Sequence, residues 1–203
     1  MFIQVIQGEV ADAEEMRAAL DRWTREISPD AHGWLGTTSG VTDDGRFIAV
    51  VRFESEEAAR RNSDRPDQSQ WWVETSKLFG GEVTFHDCRQ VDTFGQGGSD
   101  QAGFVQVIQS RISDPEGMHD LMQTGEKVMS EFRPDMIGGT CALHGDRNGA
   151  TTTVYFTSEE EARESERKKS TPEVRDLKEK ERQHYVGEPT YFDLHEPWLH
   201  SPR

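Results

Sequence analysis

With 203 residues and a formal net charge of −15, the chain is long enough for two domains of roughly 100 residues and carries a surface that repels phosphate backbones and anionic lipid headgroups. Nucleic acid and membrane are therefore not expected as partners. Leu, Ile, Val and Phe make up 39 residues, 19% of the chain. With this charge such a fraction would suit disorder, but the apolar residues are periodic, and five Trp and six Met add core volume.

The first element is FIQVIQ at 2–7, short and rich in β-branched residues, as a strand is. The opening residues lack the basic start and long apolar run of a signal peptide. No window approaches the ~18 apolar residues of a membrane helix. A cytoplasmic location is the expectation. A helix follows over 12–27, where Asp12 with Glu15 makes a capping-box pattern and Met16, Leu20, Trp23 and Ile27 share one face. Residues 34–41 read as a strand, Asp43-Asp44-Gly45 as a hairpin turn, and 46–53 as the returning strand. Ser55 then caps a helix with two glutamates in its first turn, where the helix dipole favours negative charge. Pro66 interrupts that helix, which resumes through Trp71 and Trp72 until Gly80-Gly81 stops it. A last strand spans 82–88. The order is β-α-β-β-α-β, the split βαβ unit.

A flexible linker is expected from Gly95, Gly97, Gly98 and Ser99, and beyond it the pattern begins again. FVQVIQ at 104–109 repeats FIQVIQ at an offset of 102, and Met118 repeats Met16 at the same offset. FTSEEEAR at 156–163 repeats FESEEAAR at 53–60, and GEPTYFD at 187–193 repeats GEVTFHD at 81–87. The matches keep chain order, as two copies of one unit would. In the second copy Asp114 caps, Pro115 takes the first helical position, and Met118, Met122, Gly125, Met129 and Phe132 continue the stripe. A hairpin turn falls at 145–149, Ser158 caps, and Pro172 interrupts. The glutamate- and arginine-rich run at 159–183 reads as a solvated helix face. The expected organisation is a ferredoxin-like repeat at 1–95, a linker at 96–101, a second repeat at 102–195 and a tail at 196–203.

Both sheet faces are apolar. Phe2 and Ile6 point one way and Ile3 and Val5 the other, and Phe47, Ala49, Val51 and Phe53 alternate with Ile48 and Val50. One layer of helices covers one face, so the second face is expected to meet the other copy's sheet, giving an α+β pseudo-dimeric α/β barrel with antiparallel sheets. The element order, repeat length and two-faced sheets resemble the dimeric α/β barrel superfamily in its tandem-duplicated single-chain form, nearest to the antibiotic-biosynthesis-monooxygenase-like group. The resemblance covers nearly the whole chain but rests on topology, with no fingerprint motif.

Candidate site residues are few. Gln4 and Gln106 are polar positions flanked by apolar neighbours in both copies. Their amides either project into a cavity or hydrogen-bond across the barrel or to backbone. Trp23, Trp34, Trp71 and Trp72 lie in the first copy, with only Trp198 near the end of the chain. Trp71-Trp72 aligns with Val174-Arg175-Asp176, so a flat ligand would find aromatic walls in the first copy, unless those rings are core. His86 stands where the second copy has Phe192, and Arg52, an anion-clamp candidate, where it has Tyr155. His144 is expected to be solvated near its turn. Asp87 and Asp193, kept in both copies, suit turn capping or an Arg partner. Cys88 and Cys141 belong to no Cys/His cluster, so they read as buried free thiols with no metal site.

The resemblance implies a cofactor-independent monooxygenase acting on a small aromatic compound through a polar residue such as Asn with Trp or Tyr nearby. Its haem-degrading members need an Asn on the first strand, a Trp and a helical His. Here Gln4 and Gln106 occupy the first strands, and Lys77 follows the tryptophan pair. No cofactor is indicated. Two readings stay open: a pocket for a small apolar or aromatic ligand with enzyme-like chemistry, and a non-catalytic binding or assembly module. Self-association beyond the intrachain pair is compatible with both.

Overall fold

The computed structural model describes residues 1–145 and 148–202. Two compact units emerge: Met1–Gln90 with Glu196–Arg203, and Val91–His195. The first contains β1 (Phe2–Glu9), α1 (Ala13–Glu26), β2 (Trp34–Val41), β3 (Arg46–Phe53), α2 (Glu56–Ser63), α3 (Pro66–Thr75) and β4 (Thr84–Cys88). The second contains β5 (Gln90–Gly95), β6 (Phe104–Arg111), α4 (Pro115–Phe132), β7 (Met136–Leu143), β8 (Gly149–Phe156), α5 (Glu159–Arg167), α6 (Pro172–His184) and β9 (Thr190–Leu194). A last strand, β10 (Trp198–His200), returns to the first unit.

The caps read from sequence form as expected. Asp12 accepts from the Glu14 and Glu15 amides at 2.9 and 3.0 Å, Ser55 from Ala58 at 3.2 Å, Asp114 from Gly117 at 3.0 Å and Ser158 from Glu161 at 3.2 Å. Each satisfies an amide that the helix leaves open. Pro66 and Pro172 each begin a new helix because proline needs no amide partner in the first turn. Gly45, at φ +82°, closes the first hairpin in a conformation that a side chain would strain. The second hairpin turn lies partly at Asp146 and Arg147, outside the described residues.

Within each unit the central ladder is antiparallel and repeats its register. Phe2 pairs with Phe53 and Gln4 with Val51 in the first, Phe104 with Phe156 and Gln106 with Val154 in the second. The outer strands β4 and β9 pair with β1 and β6. One sheet face lies under the helices: Phe2, Trp34 and Phe53 pack with Trp23, Ile27 and Trp71. The opposite face, carrying Ile3, Val5, Ile48, Val50 and Cys88, is buried too, so the apolar character of both faces is borne out.

Three expectations are corrected. The ladder forms two separate open sheets, ordered β10-β2-β3-β1-β4 and β5-β7-β8-β6-β9, and neither closes into a barrel. The short strands β4 and β9 each have one ladder neighbour, whereas a closed barrel needs the pairing to run on from edge to edge. Gly95, expected in a flexible linker, ends a strand, because 90–95 pairs beside β7. Residues 196–203 are more than a tail, because Trp198 pairs with Ser39 and packs against Phe47 with ring centroids 6.4 Å apart. Each sheet is thus completed by a strand that follows the other copy's last strand in sequence.

Trp198 is 7% exposed and sits in the first unit's core with Val10, Met16, Phe47 and Ala49. Trp198→Ala is expected to lower stability by about 3–5 kcal/mol, the range for a deleted buried indole. Urea unfolding followed by far-ultraviolet circular dichroism checks this.

Candidate functional site

A cavity lies between sheet and helices in each unit, and the two differ in size. The pair of isolated bridges, Val10 with Phe79 and Ile112 with Tyr185, fixes the correspondence between units. Trp23 corresponds to Gly125, Trp71 to Leu177, Trp72 to Lys178 and Phe79 to Tyr185. This corrects the alignment of Trp71-Trp72 with Val174-Arg175-Asp176. The second unit has three more residues between its capping serine and its helix-starting proline, Ser158 to Pro172 against Ser55 to Pro66, which shifts the register.

In the first unit the tryptophans fill the space. Trp23 meets Trp34 edge-on at 4.9 Å and Trp71 at 6.4 Å, and all three are buried. Their indole N–H groups donate to Gln68 Oε1 (2.5 Å), Thr37 Oγ1 (3.0 Å) and the Ala19 carbonyl (2.9 Å), respectively for Trp23, Trp34 and Trp71. Satisfied donors and edge-to-face contacts are what large aromatics do in a core. Trp72 is half-buried against Phe85 at 5.3 Å. The remaining cavity, about 80 Å³, is reached by Gln4, Trp71, Trp72 and Thr75.

In the second unit Gly125 replaces the indole, and the cavity grows to about 220 Å³. A Cβ on Gly125 would lie 2.9 Å from Leu177, so α4 and α6 touch here through a residue without a side chain. The methionines of α4, Met118, Met122 and Met129, line one wall, joined by Met136 from β7. Thioether side chains adapt to irregular apolar partners and contact aromatic rings well. Ile108, Cys141, Thr152 and Val154 form the sheet side, and Leu177, Glu181 and Tyr185 the α6 side. Phe94 and Gly95 of β5 complete the rim.

The polar groups at this cavity are few and well defined. The Tyr185 hydroxyl donates to Glu181 Oε1 at 2.8 Å. Burial first, and then the Glu181 charge, holds the phenol protonated far above its ordinary range. Burial pushes the Cys141 thiol up to about 11, so at neutral pH it is a thiol and no nucleophile. Lys178 and Glu126 lie exposed at the mouth. The arrangement supplies an apolar slot with one phenol–carboxylate pair at its edge.

The residues singled out from sequence are only partly gathered. Gln4, Trp71 and Trp72 meet at the smaller cavity, with Trp34 packed behind Trp23. Gln4 donates to Asp87 Oδ1 at 2.9 Å and Gln106 to Asp193 Oδ1 at 2.7 Å. Each amide is thus held by a carboxylate on the neighbouring strand of its own sheet rather than by the other amide, and Asp193 also pairs with Arg163. His86 faces the side of Val5, and Arg52 lies opposite Ile3 with its guanidinium donating to Thr38 Oγ1 at 3.1 Å, and neither lines either of these two cavities. His144 is corrected from solvated to buried, its ring hydrogen-bonded to Thr151 at 2.8 Å. Cys88 and Cys141 are buried free thiols, as expected. The larger cavity was missed, although Gly125 standing where the first copy has Trp23 is its sequence signal.

The fold matches that of several solved structures along nearly the whole chain, among them a ferredoxin-fold protein from Listeria monocytogenes described as related to antibiotic biosynthesis monooxygenases. A structure from Lactobacillus acidophilus, provisionally assigned as a monooxygenase, is similar at 13% identity with a TM-score of 0.76, covering 98% of this chain and 95% of that one. One from Fusobacterium nucleatum with the same provisional assignment is 10% identical, with a TM-score of 0.75, covering 98% and 94%. An anthrone oxidase-like protein is 10% identical, with a TM-score of 0.65, covering 98% and 93%. No protein-family model and no curated protein matches the sequence.

Cys141 should react with an aromatic disulfide reagent at pH 8 roughly a hundredfold more slowly in the folded protein than in urea. That is the ratio of thiolate at a pKa of about 11 to thiolate at the ordinary value. Thiol titration of Cys88→Ala protein, with and without urea, checks it.

Proposed function

We propose that the second unit binds a compact, flat apolar or aromatic molecule in the cavity beside Gly125, and that the protein acts on it as a monooxygenase-like enzyme. The observation that carries the reading is the exchange of Trp23 for Gly125, which leaves a methionine-walled space where the first unit is filled. The shared fold supports it, because the structural neighbours are named as monooxygenases and as anthrone oxidase-like. Tyr185 and Glu181 are the groups placed to meet a hydroxyl or carbonyl on the ligand. With dioxygen as co-reactant and oxidant, the methylene carbon of an anthrone-type substrate would become a carbonyl, one oxygen atom staying on that carbon and the other leaving as water with the two methylene hydrogens.

A second reading, a binding protein without turnover, is favoured by the protonated states of Cys141 and Tyr185 and by the amides of Gln4 and Gln106 being held by carboxylates. Oxygen uptake with anthrone and a panel of naphthols separates the two. Uptake above the uncatalysed rate supports the enzyme, and binding without uptake supports the binder.

All five tryptophans belong to the first unit, so intrinsic fluorescence is a poor reporter for this cavity. N-phenyl-1-naphthylamine, which brightens in apolar surroundings, is the better probe. Met122→Trp is expected to weaken its binding by at least about tenfold, the scale set by blocking apolar contact in a pocket. Trp72→Phe in the first unit should leave it unchanged. Fluorescence titration checks both, and circular dichroism confirms that each variant folds.

A further inference from the structure

Phe94 and Gly95 line the larger cavity, and both belong to β5, the outermost strand of the second sheet. The strand's attachments to α4 are specific and polar. Asp92 accepts from or pairs with His119 Nδ1 at 2.8 Å, and the Gly95 amide donates to Glu126 Oε1 at 2.8 Å. The Phe94 ring lies directly over Gly139 of β7, where any side chain would exclude it. Gly95 ends β5 and Gly97 follows it, at φ +55° and +68°, backbone that only glycine adopts freely, in a turn closed by the Gly97 amide donating to the Phe94 carbonyl at 3.0 Å and the Gln96 amide to the Ile137 carbonyl at 3.2 Å. An edge strand on the cavity rim, paired with β7 on one side, tied to the first helix by two of that helix's side chains and ended by a glycine turn, has the construction of a strap.

We infer that β5 is a strap over the second unit's cavity, latched to α4 by the Asp92–His119 pair, and that the latch sets how fast a ligand enters and leaves. The inference rests on the cavity reading above and adds its regulation. The charged groups acting on His119 are Asp92 on β5 and Asp120 on its own helix, while α6, packed against α4, turns Glu181 toward Tyr185 instead. Hydrogen bonding to Asp92, then its charge, raises the His119 pKa. The ionic part of the pair is fully present below the ordinary histidine value and is lost as pH rises through the raised one, which weakens the latch. Alkaline conditions therefore loosen the strap and mildly acidic conditions hold it.

The test has one arm that needs no ligand. Amide exchange of residues 91–97, corrected for the base-catalysed rate, should lose protection between about pH 6 and pH 9 by roughly two- to fivefold, the span of a part-exposed ion pair. His119→Gln should show the unlatched level at every pH, and Asp92→Asn likewise. In the second arm, stopped-flow dissociation of N-phenyl-1-naphthylamine should quicken over the same pH range by a similar factor and lose its pH dependence in both variants. Exchange that is independent of pH and unchanged in both variants overturns the latch, whether or not the probe binds. A strap that opens while probe dissociation stays constant overturns its role as a gate. Failure of the probe to bind, with pH-dependent exchange intact, overturns the cavity reading and the gate with it while leaving the Asp92–His119 latch standing.

Discussion

A helix laid across an antiparallel sheet leaves a gap at its centre, and the residue there decides whether the gap is core or cavity. In the first unit that residue is Trp23, which touches Trp34 beneath it and Trp71 beside it. In the second unit it is Gly125, which lets Leu177 approach the helix backbone and leaves the methionines around an open space. The strand order, register and caps are shared. The exchange of Trp23 for Gly125, with those of Trp71 and Trp72 for Leu177 and Lys178, separates a filled scaffold from a candidate binding site. Large side chains in a core cost several kcal/mol to remove, so a unit that keeps a cavity gives up that stabilisation.

The same logic extends to the outer strands. Each sheet has four strands in the order of a split βαβ unit and gains a fifth from the segment that follows the other copy. Trp198 brings a buried indole to the first sheet, and Phe94 brings a ring to the second. Both added strands reach the first helix of the unit they join through a histidine–carboxylate pair, His200 with Asp21 and His119 with Asp92, although the histidine sits on the strand in one case and on the helix in the other. Part-exposed ion pairs contribute little to holding such strands, so the ladder and the packed rings carry most of the attachment.

The polar residues repeated in both copies are held by partners within their own sheets. Gln4 and Gln106 each donate to an aspartate one strand away, and Asp193 also receives Arg163. A half-buried amide needs such partners to avoid an unpaired donor. The positions that differ between the copies, 23 against 125 and 71-72 against 177-178, carry the difference in the sites.

Much of this was legible in the chain itself. The caps at Asp12, Ser55, Asp114 and Ser158, the helix starts at Pro66 and Pro172, the hairpin at Gly45 and the apolar character of both sheet faces are local or periodic features, and local hydrogen bonds and side-chain alternation express them directly. The destinations of β5 and β10 were not legible, because a short strand next to glycines has the same local pattern whether it hangs free or pairs with a distant edge. The cavity was not legible either. Volume between packed layers depends on which side chains meet across a helix and a sheet, and three extra residues between Ser158 and Pro172 displaced the alignment that would have placed Leu177 opposite Gly125. Sequence determined the elements and their repetition; only the packing of helix on sheet decided which unit stayed open.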